Sequence, residues 1–174
     1  MDELILVTPS LQYSADIWLY RSEFLDNTES MHGTGGLRIA ESPEEWLSVV
    51  RDNSVEETVR EGLVPASAFL CIRKSDNHIV GMIDIRHKLN DHLFHFGGHI
   101  GYSVRKSERR KGYAQEMLRL ALLKAKELHL DKILICCDKD NVASVKVVIA
   151  NGGKLDNDVL EADGNIVQRY WITL

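Results

Sequence analysis

A chain of 174 residues with 44% hydrophobic and 27% charged residues has the balance of a globular domain in water. Its net charge of -5, from 26 acidic against 21 basic residues, argues against the basic face of a general nucleic-acid binder but leaves room for a local anion site. The cysteines Cys71, Cys136 and Cys137 show no C-x-x-C spacing, so neither a disulfide framework nor a zinc site is expected, and buried thiols suit a reducing compartment. "MDELILVTPS" lacks the basic start and long apolar stretch of a signal peptide, and no apolar run is long enough to span a membrane. A cytoplasmic location is expected.

The apolar run Leu4 to Val7 predicts a first strand. Thr8-Pro9 reads as a cap followed by proline at the first helical position, opening a helix through "SLQYSADIWLYRSEFL". "DNTESMHGTGGL" reads as a loop, and Ser42-Pro43-Glu44-Glu45 opens a second helix ending near Asp52-Asn53. From Ala66 the period becomes that of strands. "SAFLCIRKSDNHIVGMIDIRHKL" predicts two strands joined at Ser75-Asp76-Asn77, and "GGHIGYSV" predicts a third. "YAQEMLRLALLKAKELHL" predicts an amphipathic helix with Ala114, Met117, Leu118, Ala121, Leu122, Ala125 and Leu128 on one face. "KILICC" reads as a strand buried on both faces, and "NVASVKVVIANGG" as a helix from Asn141 to a stop at Asn151-Gly152. Two last strands, 154–160 and 166–174, flank the turn "EADGN". The order β-α-α-β-β-β-α-β-α-β-β predicts one mixed α/β sheet with helices on its faces, in a single domain over residues 1–174.

The chemistry concentrates at "SERRKGYAQEM". Five of the seven residues from Arg105 to Lys111 are basic, and Gly112 stands where loop gives way to helix. The first N–H groups of a helix have no partner within it and carry the positive end of its dipole, so they favour an anion. A glycine lets a ligand approach the backbone, and Arg109, Arg110 and Lys111 add formal charge. The combination is a phosphate cradle built mainly from main chain. The alternative is a solvated basic turn beside a structural glycine. The Walker pattern and the G-x-G-x-x-G fingerprint are both absent, and "GTGG" at 33–36 follows no predicted strand.

Arg109-Arg110-Lys111-Gly112-Tyr113-Ala114, with the strand before it, the long helix after it, then "KILICCDKDN" and "NVAS", resembles the acetyl-CoA signature of the GNAT N-acetyltransferase superfamily. The resemblance extends over nearly the whole chain and is closest to bacterial GNAT proteins of unassigned substrate. It implies the α/β GNAT (acyl-CoA N-acyltransferase) fold, a mixed, mostly antiparallel sheet flanked by helices with splayed central strands. It implies that coenzyme A lies along Ile100 to Val104, touching Tyr102 and Val104. Its pyrophosphate would rest on the amides from Arg109 or Arg110 through Lys111, Gly112, Tyr113, Ala114 and Gln115. Asn141 and Ser144 match positions that contact the pantetheine arm; Asn141 also reads simply as a helix cap. The side chains of Arg105 and Lys106 read equally as phosphate contacts and as surface charge.

The implied activity is acetyl transfer from acetyl-CoA to a primary amine by direct attack in a ternary complex. Many relatives carry a tyrosine seven residues after the asparagine to protonate the leaving thiolate, and Val148 stands there instead. For the base, His99 and Asp84 are the candidates, beside Arg86 and His87. His87, His92, His95 and His99 are close in sequence, but no H-x-x-x-H helix joins them and no metal is expected. The alternative readings are a coenzyme A-binding module with no or vestigial catalysis, an acyltransferase using another donor or acceptor, and a nucleic-acid binder using 105–111. The expected partner is a small-molecule or peptide amine, with no nucleic acid and no membrane. The acceptor cleft is expected from the first two helices, their loop and the final hairpin, and a homodimer through the last strands is the oligomer the resemblance suggests.

Overall fold

The computed structural model describes residues 2–174, as seven strands and four helices in the expected order. Strands β1 (Leu4–Val7), β2 (Ala66–Arg73), β3 (His78–Arg86) and β4 (Ile100–Val104) form one antiparallel sheet in that order. Strands β5 (Lys132–Asp138), β6 (Lys154–Leu160) and β7 (Ile166–Thr173) form a second, ordered β5-β7-β6. The expected single sheet is therefore two. They touch through an isolated bridge between Gly98 and Ile135 and the His99 N–H bond to the Leu134 carbonyl, 2.7 Å. Beyond that point β4 and β5 part.

Helices α1 (Ser14–Asp26) and α2 (Pro43–Asp52) cover one face of the first sheet, and α3 (Tyr113–Glu127) packs on the other. Strand alternation sorts the cores. Leu70, Ile72 and Met82 pack with Ile17, Tyr20, Phe24 and Trp46 on the α1/α2 side. Cys71, Ile83, Ile85 and Ile100 pack with Met117, Leu118, Ala121 and Ala125 of α3 on the other. Met117 comes close because β3 has Gly81 beneath it; a Cβ there would lie 2.8 Å from its sulfur. Helix α4 (Val142–Ala150) follows β5.

Two boundaries differ from expectation. Thr8-Pro9 does not open α1. The chain runs extended at Ser10, makes a 3-10 turn over Leu11–Tyr13, and enters α1 at Ser14. That delay lets Tyr13, Ile17 and Tyr20 all point into the core, a tertiary demand that overrides the local cap signal. The segment "GG" before "HIGYSV" is not strand either. It ends a π-helical turn, Leu93–Gly97, and Gly98 takes φ 67° with a position that a Cβ would occupy only 2.5 Å from the Leu134 carbonyl oxygen. The second helix start is as expected: Ser42 Oγ accepts the Glu45 N–H at 3.1 Å with Pro43 in the first turn.

Candidate functional site

At the start of α3, Gly112 has φ 82° and Arg110 φ 63°, a left-handed path that turns successive N–H groups outward. Among the described residues, the main-chain N–H groups from Arg110 to Gln115 have no acceptor; the first paired one is Glu116, to the Gly112 carbonyl. A row of unpaired donors at the positive end of a 15-residue helix fits a pyrophosphate.

The basic side chains around it are mostly committed. Arg105 is 3% exposed and turns toward α1, meeting Asp16 at 3.1 Å and Glu23 at 3.0 Å. Lys106 reaches Asn27 at 2.6 Å, and Lys111 pairs with Glu108 at 2.7 Å. Arg109 holds the Glu29 carboxylate through both terminal nitrogens while its Nε donates to the Val104 carbonyl at 2.9 Å. Of the five basic residues from 105 to 111, only Arg110 has no side-chain partner among the described residues. The cradle's charge is thus main-chain dipole more than free cation.

The cradle continues into the open edge of β4. The Arg86 main-chain N–H donates to the His99 carbonyl and that of Arg105 to the Val80 carbonyl, so the His99 carbonyl and the main-chain groups of Gly101 and Ser103 face β3. Alternation then turns those of Ile100, Tyr102 and Val104 toward the gap before β5. Across that gap the Tyr102 hydroxyl meets Ser144 Oγ at 2.7 Å, and burial pushes its pKa up to about 12. Asn141 caps α4 by accepting the Ser144 N–H at 3.1 Å. Val148 is fully buried, so nothing replaces a tyrosine at that point of α4.

Between α2 and strands β2 and β3 lies a cavity of about 650 Å³. The loop 31–40, α2, the segment 60–64 and the turn at 90–93 wall it, and β2 and β3 contribute Ala66, Ala68, Asp84 and Arg86. Ala66 pairs with Arg86 and Ala68 with Asp84, so the strand opposite the two charged residues offers only methyl groups and leaves the space open. No residue of the final hairpin lines the cavity, contrary to expectation. The segment 60–64, which the sequence did not single out, does.

Asp84 is 8% exposed; burial pushes its carboxyl above the ordinary range, against the pull of Arg86 3.9 Å away and of the Gly101 N–H at 3.0 Å. Gly33 of the 31–40 loop sits on Gly101: a Cβ on Gly33 would lie 2.2 Å from the Gly101 oxygen, and one on Gly101 3.1 Å from the Gly33 nitrogen. His99 stands apart from this cavity, between the sheets. Its Nδ1 accepts the Leu134 N–H at 2.9 Å, its ring lies edge-on to Trp171, and burial lowers its pKa to about 4. His87 bonds Ser67 at 2.8 Å and His95 the Asp91 carbonyl at 2.8 Å. Among the described residues no three His, Cys, Asp or Glu side chains come together as a metal site, and no helix is long and apolar enough to cross a membrane.

An α/β chain whose two sheets part beside a helix-start anion cradle is built as a GNAT acyltransferase. The family model for the acetyltransferase (GNAT) domain matches residues 4–154, and the chain belongs to that family. Solved structures share the fold at low identity. The microcin C7 self-immunity acetyltransferase MccE, in complex with acetyl-CoA and AMP, is 16% identical with a TM-score of 0.70, covering 100% of this chain and 94% of that one. RimL, a ribosomal L7/L12 alpha-N-protein acetyltransferase in complex with coenzyme A, is 18% identical with a TM-score of 0.70, covering 98% and 94%. The dodecameric spermidine N-acetyltransferase from Vibrio cholerae is 14% identical with a TM-score of 0.66, covering 98% and 93%. No curated protein matches the chain.

Proposed function

We propose that this chain transfers an acetyl group from acetyl-CoA to a primary amine by direct attack within a ternary complex. The observation that carries the reading is that the unpaired N–H row of 110–115 follows β4 in the chain, while the cavity opens over Asp84 and Arg86 of β3, the strand paired with β4, with its Gly33 loop packed on Gly101. A donor held along the open edge and an acceptor held in the cavity would meet at Gly101 and Tyr102. The new N–C bond forms as the C–S bond breaks; one proton leaves the amine and one reaches the thiolate.

Asp84 is favoured over His99 for the first proton. It lines the cavity, and a carboxyl raised by burial takes protons more readily than an ordinary one. His99 is neutral at pH 7 with Nδ1 already accepting a main-chain N–H. For the thiolate, Tyr102 with Ser144 is the hydroxyl pair at the gap. Main-chain N–H groups of β4 would polarise the thioester carbonyl. A coenzyme A-binding module without turnover is the second reading, favoured by the buried Val148 where many relatives carry a tyrosine.

Titration calorimetry with acetyl-CoA tests the donor site. The parent is expected to bind at micromolar Kd and Gly112→Glu, which puts a carboxylate in the cradle, to lose binding while remaining folded. Asp84→Asn is expected to keep coenzyme affinity and lower kcat by about a hundredfold. Tight binding with no turnover on a broad amine panel favours the second reading; no binding by the parent sinks the first.

A further inference from the structure

We propose, resting on the reading of the cavity as the acceptor site, that the acceptor is a bulky, predominantly apolar molecule carrying a single amine, and not a polyamine. The charge inside the cavity is balanced. Its lining holds two carboxylates, Asp84 and Glu45, against two guanidiniums, Arg60 and Arg86. Both carboxylates already have donors: Glu45 accepts the Glu41 N–H at 2.7 Å, and Asp84 accepts the Gly101 N–H at 3.0 Å with Arg86 3.9 Å away. The lining therefore has no surplus negative charge for a second ammonium, which at the 60–64 segment would meet Arg60, whose side chain has no partner among the described residues.

Apart from His32, Thr34, Asn53, Asn90 and His92, the rest of the lining is apolar or glycine. Met31, Trp46, Val49 and Leu93 line the cavity. Ile39 and Leu63, on the two loops that wall it, are 80% and 56% exposed, large apolar side chains left in water. Such residues around a concavity are where an apolar ligand gains most by burial. A cavity of about 650 Å³ is also too large for a minimal amine to fill, lying within the range of roughly 300–1,000 Å³ that holds drug-sized ligands.

The test compares octylamine with 1,8-diaminooctane, which differ only by the second ammonium, beside 4-phenylbutylamine and spermidine. Thiol release is followed at saturating acetyl-CoA. Octylamine and 4-phenylbutylamine are expected to exceed the diamine and spermidine in kcat/KM by about tenfold or more, the cost of desolvating an unpaired charge. In the double variant Ile39→Asp, Leu63→Asp, at exposed positions that should not disturb folding, that preference is expected to collapse or reverse. Equal or better use of the diamine or spermidine by the parent overturns the proposal, as does an unchanged ratio in the variant. If the protein binds acetyl-CoA but turns over none of the four, this acceptor class is wrong while the donor site stands. If acetyl-CoA itself does not bind, the acetyltransferase reading fails first.

Discussion

Glu29 sits where the two halves of the site are wired together. Its carboxylate is gripped by Arg109 of the cradle, and Arg109 holds it well below the usual carboxylate range. The same residue belongs to the 27–36 stretch that leads into the cavity wall. A phosphate arriving at 110–115 therefore meets a cation already half-neutralised by an acid. Unit charges about 4 Å apart attract by about 4 kcal/mol at an effective dielectric near 20. Here the side chains of Arg109 and Glu29 are 39% and 31% exposed, and water reduces pairs of this kind to about 1 kcal/mol or less. Glu29→Gln keeps a hydrogen-bonding amide against Arg109 and removes the charge. The expected result is acetyl-CoA affinity raised by roughly fivefold at low salt, with the gain fading at about 0.5 M salt. Titration calorimetry at both ionic strengths reads it, with Glu57→Gln as the control for net charge alone. An unchanged or weaker affinity in Glu29→Gln would refute the idea that Glu29 holds back positive charge of Arg109 from the cradle.

His99 should mark the acid limit of stability. Its folded pKa is about 4 against 6.5 for an ordinary histidine, so its contribution is full above 6.5 and lost as pH falls through 4, about 3 kcal/mol at most. Urea midpoints at pH 7 and 4.5 should drop steeply in the parent and less in His99→Gln, which stays uncharged; equal drops would show that His99 does not titrate in this way. Gly33→Ala forces a methyl group into the Gly101 carbonyl at a φ of 72°. Lifting that loop should cost about 1–3 kcal/mol and raise acceptor KM several-fold. Acetyl-CoA Kd should stay within about twofold, and a coenzyme effect as large as the acceptor effect would show that the loop is not confined to the cavity side.

The cradle could be read from the chain because everything it needs is contiguous: a strand end, a left-handed turn with glycine, and the first turn of α3. So could the capping of α2 by Ser42 and of α4 by Asn141, which are contacts over three residues. Asp84 was nameable as a strand acid beside Arg86, but its raised pKa comes from burial beneath α2 and the 31–40 and 60–64 segments, none of them its sequence neighbours. The start of α1 could not be read from Thr8-Pro9, because burial of Tyr13 and Ile17 outweighed a cap. Nor could the run Arg105 to Lys111 disclose that Asp16, Glu23, Glu29 and Glu108 already hold most of its cations. Local hydrogen bonding and period are written residue by residue along the chain. Desolvation and charge pairing depend on which distant segments come to lie within a few ångströms, and only the packed structure decides that.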